Sequence, residues 1–323
     1  MFHKITEIKN FKEVLEKDIH YDTWVVLDLD NTVMTHRLEL GGDAWFNGLF
    51  KHLSQHKIDK KTALPWVLSV YNTMQHFIRT SVVEPDIIII IKALQHIGIP
   101  VIGLTARGHS IRHQTIRQLA DIGIDFSQHT IVNNDDSSYS GGIIFCDGKN
   151  KGEKLNLFLS QIERLPKHVC MLDDKKSHLE DVMHILKPLN INFSGFRYSY
   201  LDEKVNQFNM EMATLQLAHL WEWLSSVVQQ DIINLKLIPS HLQGPLNPLV
   251  YKDHVFHPNH PLSSIENKSN VQMELPTCLV RSKSSSSFFH KFTQKPSKAC
   301  LKRKRDHIES KDINDDVPRY RGI

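Results

Sequence analysis

The chain has 323 residues, enough for one large domain or two smaller ones, and its 41% hydrophobic and 23% charged residues are typical of a globular protein. Its net charge of +3 is too small to indicate a nucleic-acid partner, and no apolar run approaches the roughly 20 residues that span a membrane. The N-terminal residues lack a secretory segment and the four cysteines form no metal-binding pair, so we expect a cytoplasmic protein without structural zinc.

Helical and strand patterns alternate along most of the chain. Apolar residues at helical spacing predict an opening helix over residues 5–17, and the run Trp24–Leu27 predicts a buried strand. Residues 34–85 carry two apolar stripes at helical spacing and predict a small helical insert. Beyond the insert, Ile87–Ile91 is assigned to a helix despite its β-branched residues, and residues 209–229 are predicted to form one long helix.

This alternation is typical of an α/β fold with three layers, in which helices cover both faces of a parallel sheet. The sequence predicts a core of residues 1–33 and 86–237, interrupted by the helical insert 34–85. Residues 238–323 hold recurring prolines, a serine run and the basic cluster Lys302–Arg305, and are predicted to be a largely disordered tail. The basic cluster is either solvated or a targeting signal that would act in a host cell if the protein were a secreted effector.

Acidic and hydroxyl residues follow three of the predicted strands. Asp28 and Asp30 follow the first, and residues two apart on a strand share a face. Thr105 follows the second strand, and Asp173 and Asp174 follow a third. Because the carboxyl ends of parallel strands lie at one edge of a sheet, where ligands bind in α/β folds, we expect these side chains to lie together.

These residue types suit phosphoryl transfer. Asp28 can attack phosphorus as a nucleophile, and Asp30 can protonate the leaving alkoxide and then deprotonate the attacking water. Asp28 and Asp173 offer the oxygen ligands that Mg²⁺ prefers. The Thr105 hydroxyl and a lysine ammonium can bind the phosphoryl oxygens as negative charge shifts among them. The sequence therefore predicts Mg²⁺-dependent phosphoryl chemistry at this edge of the sheet.

Three lysines lie in the window for that ammonium, namely Lys149, Lys151 and Lys154. We assign the role to Lys151, because Lys151 and Gly152 are predicted to open a helix and a helix N-terminus favours anions. The other two lysines stay as alternatives, since their spacing fits as well.

From Val25 to Asp174, the order and spacing of these motifs resemble those of the haloacid dehalogenase-like (HAD) superfamily of phosphatases. The resemblance implies a Rossmann-like core, a phosphomonoester hydrolase with an aspartyl-phosphate intermediate, and Mg²⁺ as the cofactor. It further implies that the insert 34–85 is a small helical cap of the C1 type. Such caps exclude water and select substrates.

The resemblance also implies a role for each motif residue. Asp28 would be the nucleophile and a metal ligand, and Asp30 would be the acid/base, with its backbone carbonyl on the metal. Thr105 would bind the phosphate through its hydroxyl. Asp173 would be the acidic metal ligand, with Asp174 beside it.

Shorter patterns within these motifs resemble an uncharacterised bacterial family of unknown function. We predict that Asn31, Ala106 and Arg107 contact the substrate, although for Arg107 pairing with a carboxylate such as Asp174 is an equal alternative. The patterns are Asn31, Thr105-Ala106-Arg107, Gly141-Gly142 and Asn150-Lys151-Gly152.

A phosphorylated small molecule is the expected substrate, and neither a membrane nor a nucleic acid is expected as a partner. Two other functions stay open. The chain could be a scaffold or secreted effector that binds host partners through its tail, or a phosphoprotein phosphatase, whose crevice is usually open. Aromatic residues of the insert, namely Trp45, Phe46 and Trp66, are expected in its core rather than against the substrate.

Overall fold

A computed structural model describes residues 2–14, 19–128 and 138–243 of the chain. This part of the chain forms an α/β fold around a seven-stranded sheet. The strands are β1 (His3–Ile8), β2 (Thr23–Leu27), β3 (Met34–His36), β4 (Thr80–Val82), β5 (Val101–Thr105), β6 (Tyr139–Ser140), β7 (Ile143–Phe145), β8 (His168–Asp173) and β9 (Asn192–Tyr198). The α-helices are α1 (Asp43–Gln55), α2 (Lys60–Phe77), α3 (Asp86–His96), α4 (Arg112–Asp121), α5 (Lys151–Leu159), α6 (Lys176–Leu186), α7 (Asp202–Asn206), α8 (Met210–His219) and α9 (Ser226–Asn234).

The central sheet has the strand order β1-β9-β8-β2-β5-β7-β6, and its neighbouring strands are parallel except for β6 and β7. Side chains of β2 alternate between the two faces. Val25 and Leu27 pack in a cluster with α3 and α4, whereas Trp24 and Val26 pack in a cluster with α5 and α6. Helices therefore cover both faces, which confirms the predicted α/β fold with a mostly parallel sheet.

The insert 34–85 is joined to the rest of the chain through an antiparallel ribbon of β3 and β4, and α1 and α2 lie between these strands. One hydrophobic cluster holds buried side chains of the insert, such as Leu49 and Val67, together with Leu217 of α8 and Ile232 of α9. The insert therefore packs on the C-terminal helices, a contact that the sequence did not predict. The boundaries between core and insert stay predictions.

The predicted opening helix over residues 5–17 is wrong. The chain begins this region with strand β1 instead, and a 3₁₀ helix, Phe11–Val14, follows it in the sequence. The physical reason is the edge of β9, whose backbone pairs with β1 in parallel along the whole strand, with Ile5 beside Gly195. A few apolar positions at helical spacing do not outweigh such a row of sheet hydrogen bonds.

The predicted long helix over residues 209–229 is also wrong as a single element. A 3₁₀ helix, Trp221–Trp223, separates α8 from α9. The Ser225 hydroxyl accepts a hydrogen bond from the Val228 amide at 3.4 Å, so a new helix N-terminus is capped inside the predicted element. By contrast, the β-branched run Ile87–Ile91 lies in α3, as predicted.

Most of the predicted disordered tail, with the Lys302–Arg305 cluster, lies outside the described residues. The described segment 238–243 continues the packing of α9. Ile238 is buried in the same cluster as the insert, and a 3₁₀ helix, Ser240–Leu242, follows it. The chain is thus still packed at the residue where the tail is predicted to begin.

Candidate functional site

The predicted site residues lie where β2, β5 and β8 end. β2 pairs in parallel with both neighbours, and Leu27 stands beside Gly103 of β5 and Leu172 of β8. The Asp28 amide donates a hydrogen bond to the Leu172 carbonyl at 3.0 Å, which places Asp28 next to Asp173. The pairing of the sheet therefore gathers the polar residues that follow these three strands at one edge.

A buried ammonium bridges two of these aspartates. Lys151 Nζ lies 2.6 Å from Asp28 Oδ1 and 2.7 Å from Asp173 Oδ2, and Lys151 is only 1% exposed. Of the three lysines that the sequence leaves open, Lys151 is the one that reaches these aspartates. Lys149 is exposed, and Lys154 lies near a different aspartate. The position of Lys151 at the start of α5 agrees with the predicted helix start.

Burial and mutual charge shift the pKa values of these three groups. Burial, together with the Asp173 carboxylate, raises the pKa of Asp28 to about 6 in spite of the Lys151 ammonium. Burial acts in the same direction on Asp173, but Lys151 and His178 outweigh it and lower the pKa of Asp173 to about 2. Burial would lower the pKa of Lys151, yet the two carboxylates raise it. At neutral pH the three groups are therefore two carboxylates facing one ammonium.

Asp28, Asp173 and Asp174 form an acidic cluster whose ligand oxygens lie within 4.8 Å of one another. Burial and the charges of Asp28 and Asp173 raise the pKa of Asp174 to about 9. Asp174 Oδ1 is buried without a hydrogen-bond partner among the described residues, and Asp174 Oδ2 lies 3.5 Å from Asn31 Nδ2. A divalent cation would neutralise the repulsion and satisfy the unpartnered oxygen. Because carboxylate oxygens suit Mg²⁺, the acidic cluster fits a magnesium ion.

Asp30 is held by an arginine. Arg107 Nε lies 2.7 Å from Asp30 Oδ2, and Arg107 Nη2 lies 2.8 Å from Asp30 Oδ1, so two buried residues form a bidentate ion pair. Burial would raise the pKa of Asp30, but Arg107 lowers it to about 2. Arg107 Nη1 donates to Gln118 Oε1 at 2.6 Å and to Thr115 Oγ1 at 3.2 Å. Arg107 thus pairs with a carboxylate, as one alternative predicts, but the partner is Asp30 rather than Asp174.

The remaining predicted residues lie around this ion pair. Thr105 is buried at the end of β5, and its hydroxyl accepts a hydrogen bond from the Arg107 amide at 3.2 Å. Asn31 turns the chain directly after Asp30 in a left-handed conformation, with φ of 61°, that asparagine tolerates. Ala106 is exposed and lines a cavity beside the insert. The structure therefore brings the predicted site residues to one end of the sheet, while their roles stay predictions.

Several residues at this edge are missing from the sequence prediction. His178 Nδ1 lies 3.0 Å from Asp173 Oδ1, and the Lys175 amide donates to the same oxygen at 2.8 Å. The Lys175 ammonium pairs with Asp43, the first residue of α1, and so connects the edge to the insert. Lys175 could have been predicted as a site residue, because it directly follows two aspartates in the sequence. His178 had no such signal, because its contact depends on where α6 begins.

A buried polar network extends from Arg107 into the insert. Gln118 Nε2 donates to the Gln75 carbonyl at 3.2 Å. Gln75 Oε1 lies 3.1 Å from His36 Nε2, and His36 Nδ1 lies 3.9 Å from Asp30 Oδ1. Sequence reasoning could not single out these polar residues, since each is an ordinary position in a strand or helix until the fold places it.

Gly152 allows α5 to approach α6 closely. A Cβ atom at this position would lie 2.4 Å from the Asp181 carbonyl oxygen. We expect Gly152→Ala to displace the helix start that carries Lys151 and to lower the free energy of unfolding by about 2 kcal/mol, because overpacking forces backbone shifts. Urea denaturation measures the loss, and Leu157→Ala, at a 59% exposed position of the same helix, is the control. Equal stability of Gly152→Ala and wild type would contradict the close approach.

A family model described as "Protein of unknown function (DUF2608)" matches residues 4–230, more than half of the chain. The chain belongs to the DUF2608 family. Two relatives of this DUF2608 protein are each described as "Putative outer membrane protein". One, from Chlamydia pneumoniae, is 24% identical over 204 residues, which cover 60% of this chain and 77% of the relative. The other, from Chlamydia muridarum (strain MoPn / Nigg), is 24% identical over 201 residues, with 60% and 77% covered.

These comparisons overturn one expectation for the DUF2608 protein. The names of both relatives contradict a cytoplasmic location, so that expectation is wrong. The family is one of unknown function, as the shorter patterns predict, and neither its description nor the relatives' names mention HAD phosphatases. No solved structure matches the chain significantly. Across the described ranges, every helix is too short or too polar to cross a bilayer.

Proposed function

We propose that this DUF2608 protein is a Mg²⁺-dependent phosphomonoester hydrolase of the HAD type, which acts through an aspartyl-phosphate intermediate. The observation that carries the proposal is the buried Asp28 carboxylate at a strand end, held by Lys151 and adjoined by Asp173 and Asp174. Burying carboxylates so close together is unfavourable unless a cation compensates them. Such crowding with shifted pKa values is typical of catalytic sites rather than of stabilising contacts.

The reaction would proceed in two displacements at phosphorus. In the first, an Asp28 oxygen attacks phosphorus, the bond from phosphorus to the ester oxygen breaks, and the leaving oxygen takes up a proton from the carboxyl group of Asp30. In the second, water attacks the aspartyl phosphate and gives a proton to Asp30, and inorganic phosphate leaves the regenerated Asp28 carboxylate. The Lys151 ammonium and the Thr105 hydroxyl donate to the phosphoryl oxygens. The ion pair with Arg107 favours the carboxylate form of Asp30, which suits the proton acceptor of the second step and opposes proton donation in the first.

The acidic cluster of Asp28, Asp173 and Asp174 would hold the magnesium ion, and the resemblance adds the backbone carbonyl of Asp30. When bound, the ion would offset the repulsion between the attacking carboxylate and the phosphate group and would polarise the phosphoryl oxygens. This chain's own contribution is to hold the carboxylates at the strand ends. Lys175 and His178 support that placement, because both hydrogen-bond to Asp173.

A phosphorylated small molecule is the substrate class that the surroundings favour. The insert would act as the cap, since its helices line a cavity that also includes Asp30 and Arg107. A cap over the site favours a small substrate over a phosphoprotein, which needs an open crevice. The scaffold alternative rests on the tail, most of which lies outside the described residues. We place the activity at the cell surface or outside the cell, in keeping with the names of the two relatives.

We expect the purified protein to hydrolyse para-nitrophenyl phosphate in the presence of Mg²⁺ and to lose this activity when the ion is chelated. Release of para-nitrophenol measures the turnover, and added Mg²⁺ should restore it. Calorimetric titration is a second readout, in which Mg²⁺ binds at millimolar concentration and Asp173→Asn weakens the binding, because one carboxylate ligand is lost. Hydrolysis that is insensitive to chelation would contradict the metal. Absence of both hydrolysis and Mg²⁺ binding would favour the scaffold.

A further inference from the structure

An apolar cavity of about 430 Å³ lies beside the edge that carries the proposed chemistry. Asp30, Ala106 and Arg107 line it from the sheet side, and residues of α1 and α2 line it from the insert. Two other cavities, of about 440 and 560 Å³, contain none of the predicted site residues. Of these three spaces, the apolar cavity is the one that could hold the organic part of a substrate whose phosphate lies at the edge.

Helix α2 carries two apolar stripes with different surroundings. Val67 and Val70 are fully buried in the cluster that the insert shares with α9. Leu64 and Leu68, one helical turn apart, line the apolar cavity instead and are 40% and 39% exposed. Packing within the described chain leaves these two side chains partly in water, whereas an apolar ligand in the cavity would cover them.

Aromatic rings form another wall of the apolar cavity. Phe46, Phe50 and Tyr71 line it, and the ring centroids are 4.9 Å apart for Phe46 and Tyr71 and 5.2 Å apart for Phe46 and Phe50. Both pairs have edge-to-face geometry, which fixes the orientation of the rings. Trp45 is buried in the insert, as expected, but Phe46 belongs to the cavity as well. A preformed wall of rings suits a flat aromatic group.

The charges around the apolar cavity disfavour a second anionic group on the ligand. Among the residues that line it, Arg107 is the one cation, and Asp30 neutralises it. Asp43 and Asp147 add two further carboxylates to the lining, of which Asp43 pairs with Lys175 and Asp147 lies 3.9 Å from the Lys154 ammonium. A ligand that carried a carboxylate or a second phosphate here would therefore find no unpaired cation among the residues that line the cavity.

We propose that the substrate is an aryl phosphate, a small phosphomonoester whose organic part is an aromatic ring system without a second anionic group. The inference rests on the proposed function, because it places the phosphate at the Asp28 edge and assigns the ring system to the apolar cavity. The ring system lies between the exposed leucines of α2 and the rings of Phe46 and Phe50. Binding buries apolar surface on both faces of the ring system. The favourable free energy of this burial grows with the area removed from water, so an aromatic phosphomonoester binds more tightly than a polar one.

The Asp28→Asn variant measures binding apart from turnover, because it keeps the cavity but lacks the nucleophile. With Mg²⁺ present, isothermal titration calorimetry compares naphthyl phosphate, glycerol phosphate and carboxynaphthyl phosphate. We expect naphthyl phosphate to bind at least about tenfold more tightly than either of the others, since a hydrophobic pocket discriminates by this order. Equal affinity for glycerol phosphate, or for the carboxylated compound, would overturn the inference.

The two exposed leucines test where the ring system lies. We combine Leu64→Ser and Leu68→Ser in the Asp28→Asn background and expect the affinity ratio of naphthyl to glycerol phosphate to fall by about tenfold, because apolar contacts are lost. Ile89→Ser is the matched control, since Ile89 is a 55% exposed residue of α3 outside the cavity lining, and it should keep the ratio. Circular dichroism verifies folding, which the exposure of both leucines should preserve. An unchanged ratio in the folded double variant would overturn the inference.

The inference and the proposed function fail in different ways. If the wild-type protein hydrolyses glycerol phosphate as well as naphthyl phosphate, it is a phosphatase and the aryl preference is overturned. If the Asp28→Asn variant binds naphthyl phosphate selectively but the wild type hydrolyses no phosphomonoester, the proposed function is overturned. The conclusion that the apolar cavity binds aryl phosphates then still stands. If neither binding nor hydrolysis is found, both are overturned.

Discussion

Asp28→Asn is expected to lower kcat for para-nitrophenyl phosphate by at least about a thousandfold, because the loss of a catalytic nucleophile has effects of this size or larger. Asparagine has nearly the same shape as aspartate, but its amide oxygen is a poor nucleophile, so no aspartyl phosphate can form. That oxygen can still accept a hydrogen bond from Lys151, as the carboxylate does at 2.6 Å. The fold should therefore survive, and the loss reports on the chemical step.

The matched control is Asp121→Asn, at the exposed end of α4. It makes the same chemical change away from the edge and should leave kcat and KM unaltered. Melting temperatures of both variants check the folded state. Acid quenching with a radiolabelled phosphate ester should trap label on the wild type and none on Asp28→Asn. Activity of Asp28→Asn close to that of wild type would rule out Asp28 as the nucleophile.

Lys151→Met is expected to lower the free energy of unfolding by about 3 kcal/mol in the absence of divalent cations, because removing one partner leaves buried carboxylates uncompensated. The ammonium lies 2.6 Å from Asp28 and 2.7 Å from Asp173, so both carboxylates lose their counter-charge. Methionine has a similar length and no charge, which keeps the volume nearly constant. For a domain of this size the loss corresponds to a melting temperature about 10 °C lower.

Mg²⁺ should restore part of this stability, since an ion bound at the acidic cluster stabilises the folded state by mass action. Hydrolysis by the same variant should stay slow even with Mg²⁺, because the phosphoryl oxygens lose a positive donor. Lys149→Met and Lys154→Met are the controls, and both should stay within about 0.5 kcal/mol of wild type. If one of these controls lost activity while Lys151→Met kept it, the choice among the three lysines would be contradicted.

The acidic positions of the site could be found from the sequence because the strand ends carry a local signature. Asp28 and Asp173 each end an apolar run, and parallel pairing places such ends together whatever the connecting loops do. The choice of Lys151 was predictable for a similar reason, since the start of a helix is marked by neighbouring residues. Strand β1 could not be predicted, because its apolar spacing fits a helix and its partner β9 lies 190 residues away in the chain, as the pairing of Ile5 with Gly195 shows.

Side-chain pairing is the part that sequence reasoning could not supply. Arg107 was predicted either to contact the substrate or to pair with a carboxylate such as Asp174, and nothing in the sequence distinguishes among the aspartates of this edge. The choice of Asp30 depends on how Thr115 and Gln118 of α4 hold the other side of the guanidinium. The packing of α8 and α9 on the insert could not be predicted from the sequence either, because an apolar stripe shows that a helix packs against a partner but not which partner.

The pairing of β1 with β9 also sets the order in which the chain can fold. Ile5 meets Gly195, and Val25 of the central strand meets Cys170. During synthesis on the ribosome these contacts must wait until most of the chain has emerged. Such a high contact order slows folding and leaves unpaired strand edges exposed in the nascent chain. Among the described strands, β1 is thus paired only after β9, the last of them in the chain, has been made, and this interval is when a chaperone would protect the chain most.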